Sequence, residues 1–263
     1  MQDALLLALL ATLGLAGAFF SGLVGLGGAI ILIPALFYIP HTLGVGHLDM
    51  KLVAAIAIVQ VFFASVSGVV GHWRNKMVSR DLVIHMGTTS LLGSLAGAII
   101  SQYLQADVIT IVFASMALLS AALMFVPREE QGADFTAEQV TFNRPLSVLL
   151  AFVVAFLAGI VGAGGAFVLV PLMLHVLKIP TRVVVGSALG VVLLSSTGGL
   201  IGKLGTGQVS LLLASVLVLG ALPGAQLGAF VSKRMQVRAL RLVLIVVISA
   251  IAAKMWYDVL VAR

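Results

Sequence analysis

The sequence predicts an all-α polytopic membrane protein. It is read as two inverted repeats of about five membrane segments each, with a glycine-broken or re-entrant helix at the start of each repeat. Three observations predict this. Of 263 residues, 61% are hydrophobic and only 9% charged, and the mean hydropathy is +1.22; soluble domains carry roughly a quarter charged residues. Several apolar stretches reach the ~20 residues that cross a bilayer as a helix. One glycine-dense motif also occurs twice: Gly22-Leu-Val-Gly-Leu-Gly-Gly-Ala29 with Pro34, and Gly159-Ile-Val-Gly-Ala-Gly-Gly-Ala166 with Pro171, at a constant offset of 137.

Taken in order, the apolar segments of the first half are 4–22, 28–39, 51–72, 82–104 and 108–126. The first follows Met1-Gln2-Asp3, which lacks the positive n-region of a cleavable signal, so it is expected to remain as a helix. The second begins at the glycine break and holds about a dozen residues, roughly 18–20 Å of helix. A ~30 Å hydrocarbon core needs more, so it reads as a partial span that begins within the membrane. Pro34 in its second turn removes an N–H and loosens it further. Residues 127–145 form the one long polar stretch, with Arg128, Glu129, Glu130, Asp134, Glu138 and Arg144, and read as a cytoplasmic linker. The second half, 146–263, offers 146–159, 165–177, 183–202, 208–231 and 239–258.

The repeat extends past the glycines. Ser65-Val-Ser-Gly68 answers to Ser195-Ser-Thr-Gly198, and Gly93-Ser-Leu-Ala-Gly-Ala98 to Gly220-Ala-Leu-Pro-Gly-Ala225. Charge indicates how the copies are oriented, because Lys and Arg in short loops mark the cytoplasmic side. The loop after the third segment carries Arg74, Lys76 and Arg80, against Lys203 alone after the eighth. The loop after the fourth has none, whereas that after the ninth is followed by Lys233, Arg234, Arg238 and Arg241. The bias swaps sides, as an inverted repeat requires. Five crossings per half place eleven cations inside and leave Lys51, Lys203, Lys254 and Arg263 outside, with both termini on the outer face.

Helix-breaking residues at corresponding positions of two halves point to a transporter's binding site. A short helix starting at such a break presents unpaired N–H groups and the positive end of its dipole. Glycine lets a ligand approach that backbone. The candidate substrate-binding residues are therefore Gly25, Leu26, Gly27, Gly28 and Ala29, with Gly162, Ala163, Gly164, Gly165 and Ala166. Hydroxyls at matching depth, Ser65, Ser67, Ser195, Ser196 and Thr197, and the amides of Gln60 and Gln226 are candidate donors. Thr88, Thr89 and Ser90 form a weaker polar patch. The competing reading of the glycines is close helix crossing, and of the hydroxyls, bonds to their own backbone.

Other classes find little support. Asp49, Asp81 and Asp107 lie near segment ends, and no carboxylate sits mid-span, which argues against a buried carboxylate ion site. His85 and His175 lie within or near spans, His85 as an interfacial residue. No catalytic signature occurs, cysteine is absent, and neither a cofactor nor a metal is expected. The net charge of +6 comes without a basic block interleaved with aromatics, so the partners expected are the lipid bilayer and a small anionic substrate, not nucleic acid.

On these residues the chain resembles the sulfite exporter TauE/SafE family of membrane permeases. The resemblance rests on Phe20 to Gly28 and Leu157 to Gly165, on the proline after each, and on the Gly-Ala-x-x-Gly-Ala-like stretches at Gly93 and Gly220. It implies export of a small sulfur-containing anion, such as sulfite or an organosulfonate, across the bacterial cytoplasmic membrane. An inside-negative potential assists outward movement of an anion by about 2.3 kcal/mol per charge per 100 mV. An importer of an oxyanion such as thiosulfate, and an anion channel, are the alternatives.

Overall fold

The computed structural model describes residues 2–24, 28–72, 78–126, 142–232 and 237–261. These form ten α-helices: α1 (Gln2–Val24), α2 (Ala29–Thr42), α3 (Met50–His72), α4 (Arg80–Ile100), α5 (Ala106–Phe125), α6 (Arg144–Val161), α7 (Ala166–His175), α8 (Thr181–Gly205), α9 (Leu211–Ser232) and α10 (Val237–Val261). No strand occurs among the described residues. Seven helices, α1, α3 to α6, α8 and α9, are long and apolar enough to cross a membrane. Much of the expected linker, 127–141, lies outside the described residues, as do Arg74, Lys76, Lys233 and Arg234.

The helix starts follow local chemistry. Ser79 caps α4 through its hydroxyl to the Leu82 N–H, and Asn143 caps α6 through its side-chain oxygen to Leu146. Asp49 Oδ1 accepts from the Leu52 N–H at 2.7 Å. Asp81 and Asp107 lie in the first turns of α4 and α5, where a carboxylate favours the helix dipole. Asp49, Asp81 and Asp107 thus stand at helix starts. The short helices are α2, with 14 residues, and α7, with 10, about 21 and 15 Å at 1.5 Å per residue.

Glycine decides which helices meet. Gly220, Gly224 and Gly228 of α9 lie against the Ala11, Leu15 and Phe19 carbonyls of α1, in that order, so the two helices run parallel. Gly93 and Gly97 of α4 lie against Phe152 and Phe156 of α6 in the same sense. Gly198 and Gly202 of α8 lie against Leu91 and Leu95 of α4, again parallel. In a bilayer small residues let backbones approach closely where hydrophobicity gives no preference for protein over lipid. Each half's first helix therefore packs on the fourth helix of the other half: α1 on α9, α6 on α4.

The packed helices have two ends. At one, Arg144 of α6 pairs with Asp81 of α4 at 3.2 Å, and the Ser79 N–H donates to Ser187 Oγ of α8 at 3.0 Å. His175, closing α7, lies 3.1 Å from the Val126 carbonyl oxygen after α5. At the other, Lys51 of α3 donates to the Gln102 carbonyl beyond α4 at 2.7 Å, and the Lys254 ammonium of α10 sits 5.1 Å from the Tyr38 ring centroid of α2. Lys203, read as a loop residue after a segment ending at 202, is carried in the last turn of α8, which runs to Gly205, and is fully buried.

Candidate functional site

Each short helix starts from a left-handed glycine. Gly28 has φ 62° and is the N-cap of α2; Gly165 has φ 82° and is the N-cap of α7. Side chains other than glycine rarely adopt such angles. A Cβ on Gly28 would strike the Gly17 carbonyl and Ser21, and one on Gly165 would press on Ala158 and Val154. Those neighbours are themselves related by the offset of 137. Gly17 also lies against Leu32, so α2 folds back along α1, and α7 returns to the end where α6 begins.

The second break is fully described and wholly buried, from Ala158 through Met173. A methyl on Gly162 would collide with the Ala54 carbonyl of α3. At Gly164, φ 67°, an added Cβ would lie 2.7 Å from Val61 Cγ1, 3.4 Å from Val192 Cγ1 and 3.9 Å from Ser196 Cβ. Val61 is at mid-length in α3, and Val192 and Ser196 at mid-length in α8. Val168 and Leu169 donate back to the Gly165 carbonyl at 3.2 and 2.9 Å; the N–H groups before them are those a helix leaves unpaired. Irregular backbone at such depth survives where it is buried in protein or lines a cavity.

The proline of the motif has a defined partner. Pro171 has no N–H to give the Phe167 carbonyl one turn back, and the Ser120 hydroxyl of α5 donates to that carbonyl instead at 2.5 Å. Ser120→Ala strips a buried acceptor of its partner. It is expected to lower stability by about 1–3 kcal/mol, read as a fall in the melting temperature of the purified protein.

The candidate donors separate into groups. Ser65 bonds its own Val61 carbonyl at 2.6 Å, Ser196 and Thr197 bond the Leu193 carbonyl at 3.1 and 2.6 Å, and Ser67 is half-buried. Thr88 and Thr89 likewise bond the Ile84 and His85 carbonyls, and Ser90 lies 3.5 Å from the Ala151 carbonyl of α6. Ser195 and Gln60 are different. Both are 0% exposed, and neither the Ser195 hydroxyl nor either polar atom of the Gln60 amide has a hydrogen-bond partner. Gln60 precedes Val61, and Ser195 precedes Ser196, the two residues that flank Gly164.

Gln226 is not brought to this place. It is exposed on α9, because it lies two residues past Gly224 and two before Gly228, on the face opposite the glycine seam. Ala29 and Ala166 open α2 and α7 and are both buried, and Ala163 is buried in the second break. Gly25, Leu26 and Gly27 lie outside the described residues.

Sequence reasoning missed Ser94 of α4. Its hydroxyl is fully buried and unpartnered, 2.8 Å from where a Cβ on Gly199 of α8 would sit and beside Ile58 of α3. It stands inside a glycine stretch that reads as packing, and its counterpart Ala221 carries no hydroxyl, so repeat comparison gives no signal. Along α8, Val192, Ser195, Ser196 and Gly199 run from the start of α7 toward Ser94. The arrangement offers backbone N–H groups and neutral hydroxyls near the middle of the bundle, which suits a compact anion. Among the described residues no cluster of three or more His, Asp or Glu suited to a metal occurs.

A buried group without a partner costs stability. Gln60→Met, which removes the orphaned amide at similar volume, is expected to raise the melting temperature of the substrate-free protein, by the equivalent of about 1–3 kcal/mol. The same change is expected to shrink the further rise on adding a bound anion. A fall in the substrate-free value would mean that the amide is satisfied in the folded protein.

The comparisons with known proteins converge. A family model described as sulfite exporter TauE/SafE matches residues 9–255. The probable membrane transporter protein YunE of Bacillus subtilis is 28% identical over 95% of this chain and 97% of its own length. YdhB of the same organism, also a probable membrane transporter protein, is 30% identical over 79% and 83%. The probable membrane transporter protein MJ0441 of Methanocaldococcus jannaschii is 25% identical over 91% of each. No solved structure matches.

Proposed function

Because the chain belongs to the sulfite exporter TauE/SafE family of membrane transporters, we propose that it carries a small sulfur-containing anion, such as sulfite or an organosulfonate, outward across the bacterial cytoplasmic membrane by alternating access. The observation that carries this reading is the buried left-handed break at Gly162 to Gly165. It opens the N-terminus of α7 between the middles of α3 and α8, against Val61 and Ser196, whose chain neighbours Gln60 and Ser195 are buried and unpartnered. The site comprises the two breaks, Gly25 to Ala29 and Gly162 to Ala166, with Gln60, Ser65, Ser94, Ser195 and Ser196.

An inverted arrangement of the halves, 1–126 and 146–263, is supported by helix direction. Helices α8 and α9 are joined by a short turn and so run oppositely. Helix α1 is parallel to α9, whereas α6 and α8 are both parallel to α4; α1 and α6 therefore oppose each other. The end that holds the starts of α4, α6 and α8 carries Arg80, Arg144, Lys178 and Arg182 and is assigned to the cytoplasm. The end with Lys51, Lys203 and Lys254 is then outside, together with both termini.

With neutral donors at its centre, the site holds an anion weakly enough to release it, and an inside-negative potential drives it outward. The test is flux from proteoliposomes loaded with sulfite, sulfoacetate, thiosulfate or sulfate under imposed potentials, together with thermal stabilisation by the same anions. Saturable flux of one sulfur anion, accelerated when the side bearing Arg80 and Arg144 is negative, is the expected result. Flux indifferent to potential would remove the uncoupled export mechanism. Stabilisation by no sulfur anion would remove the substrate class.

A further inference from the structure

We propose that Lys203 is an anion-pairing station at the end of the bundle assigned to the outer face, separate from the central site. Lys203 is 0% exposed, and it lies within a span apolar enough to cross a membrane. Its Nζ donates to Ser101 Oγ at 2.8 Å and to Gln208 Oε1 at 3.2 Å, both neutral acceptors. An ionisable residue inside a membrane span marks a functional position by default, and a buried charge is normally matched by an opposite one. Here no carboxylate is within ion-pair distance of it among the described residues.

A second cation stands beside it. Lys51 donates to the carbonyl of Gln102, the residue next to Ser101. Two ammonium groups are thus anchored to consecutive residues where α4 ends, and Lys203 also lies in the last turn of α8. The C-terminal ends of two parallel helices supply partial negative charge, which favours a cation there. The polar shell is itself held in place: Gln208 Nε2 donates to the Ala98 carbonyl at 3.1 Å and to Thr206 Oγ1 at 2.6 Å. Gln208 and Thr206 of this shell are themselves only partly buried.

A small oxyanion reaching this end exchanges the neutral acceptor Gln208 for itself and gains a charge-assisted bond. The central site, built of neutral donors, and this cationic one then offer an anion two stations of different character. Gln208 acts as the competitor that sets how tightly the outer station holds. The arrangement also accounts for the one fully buried lysine among the described residues.

The test uses the full chain in detergent, with inorganic sulfate and sulfite as probes and chloride at matched ionic strength as control. Thermal stabilisation is followed against anion concentration. The wild-type protein is expected to show a saturable response, and Lys203→Met to weaken it at least ~10-fold in apparent affinity. Gln208→Met, which removes the neutral competitor and leaves the ammonium, is expected to tighten it several-fold. This second variant decides the matter should Lys203→Met fail to fold. A wild-type protein without an anion response, a Lys203→Met protein that keeps it in full, or a Gln208→Met protein that weakens or leaves it unchanged each overturns the proposal. A response lost in Gln60→Met but kept in Lys203→Met assigns the anion to the central site, which overturns this station and leaves the transport reading standing.

Discussion

Gly164→Val is expected to reach the membrane with its helical content intact and to move no measurable anion, a loss of at least ~100-fold in flux. Two causes add. Gly164 has φ 67°, and a β-branched residue in that region is a strong outlier. The new Cβ would also lie 2.7 Å from Val61 Cγ1, so α3 must shift or the break must unwind. Either response turns the first N–H groups of α7 away from their present direction. The defect is local because the helices on both sides keep their own hydrogen bonds. Gly205→Ala is the matched control, since a methyl there meets nothing within 4 Å, and it is expected to leave flux unchanged. Vesicle flux with circular dichroism on the same preparations reads both. Full flux in Gly164→Val would return the duplicated glycines to a packing role.

Gly224→Leu is expected to fail earlier, at folding. A Cβ there overlaps the backbone of Leu15, which cannot step aside as a flexible side chain does. It stands at the middle of the Gly220, Gly224 and Gly228 seam. Overpacking in a tight interface costs typically about 1–3 kcal/mol; a clash of side chain against backbone in the broadest helix contact among the described residues belongs at or above the top of that range. Such a loss is a large part of a total stability of about 5–15 kcal/mol. Gly97→Leu, against the Phe156 carbonyl of α6, is expected to behave alike, because it occupies the equivalent seam. Leu222→Ala, on an exposed side chain of α9, is expected to change little. The monodisperse yield after solubilisation, with the melting temperature of what survives, separates these outcomes.

The sequence by itself determined the class and most of the punctuation. Membrane thickness sets helix length, so apolar runs located ten helices to within a few residues. Glycine fixed where the short helices start: the expected breaks became left-handed N-caps at Gly28 and Gly165, because few other residues tolerate that backbone. What sequence could not supply was which helix faces which, and which side chains end up inside. In water, hydrophobicity tells core from surface; in lipid, an apolar side chain is equally at home in either. Gln226 therefore read like Gln60, although the glycine seam of α9 turns it outward while Gln60 is buried in α3. Ser94 read as packing until α8 brought Gly199 and Ile58 of α3 against it. Lys203 read as a loop residue, because three further residues of α8 separate a solvated lysine from a buried one. The Gly220 and Gly93 stretches announced close contact but not its partner. Only the tertiary structure, by laying backbone carbonyls of α1 and α6 along them, decided that the two halves are interlocked and that the middles of α3 and α8 meet at the break.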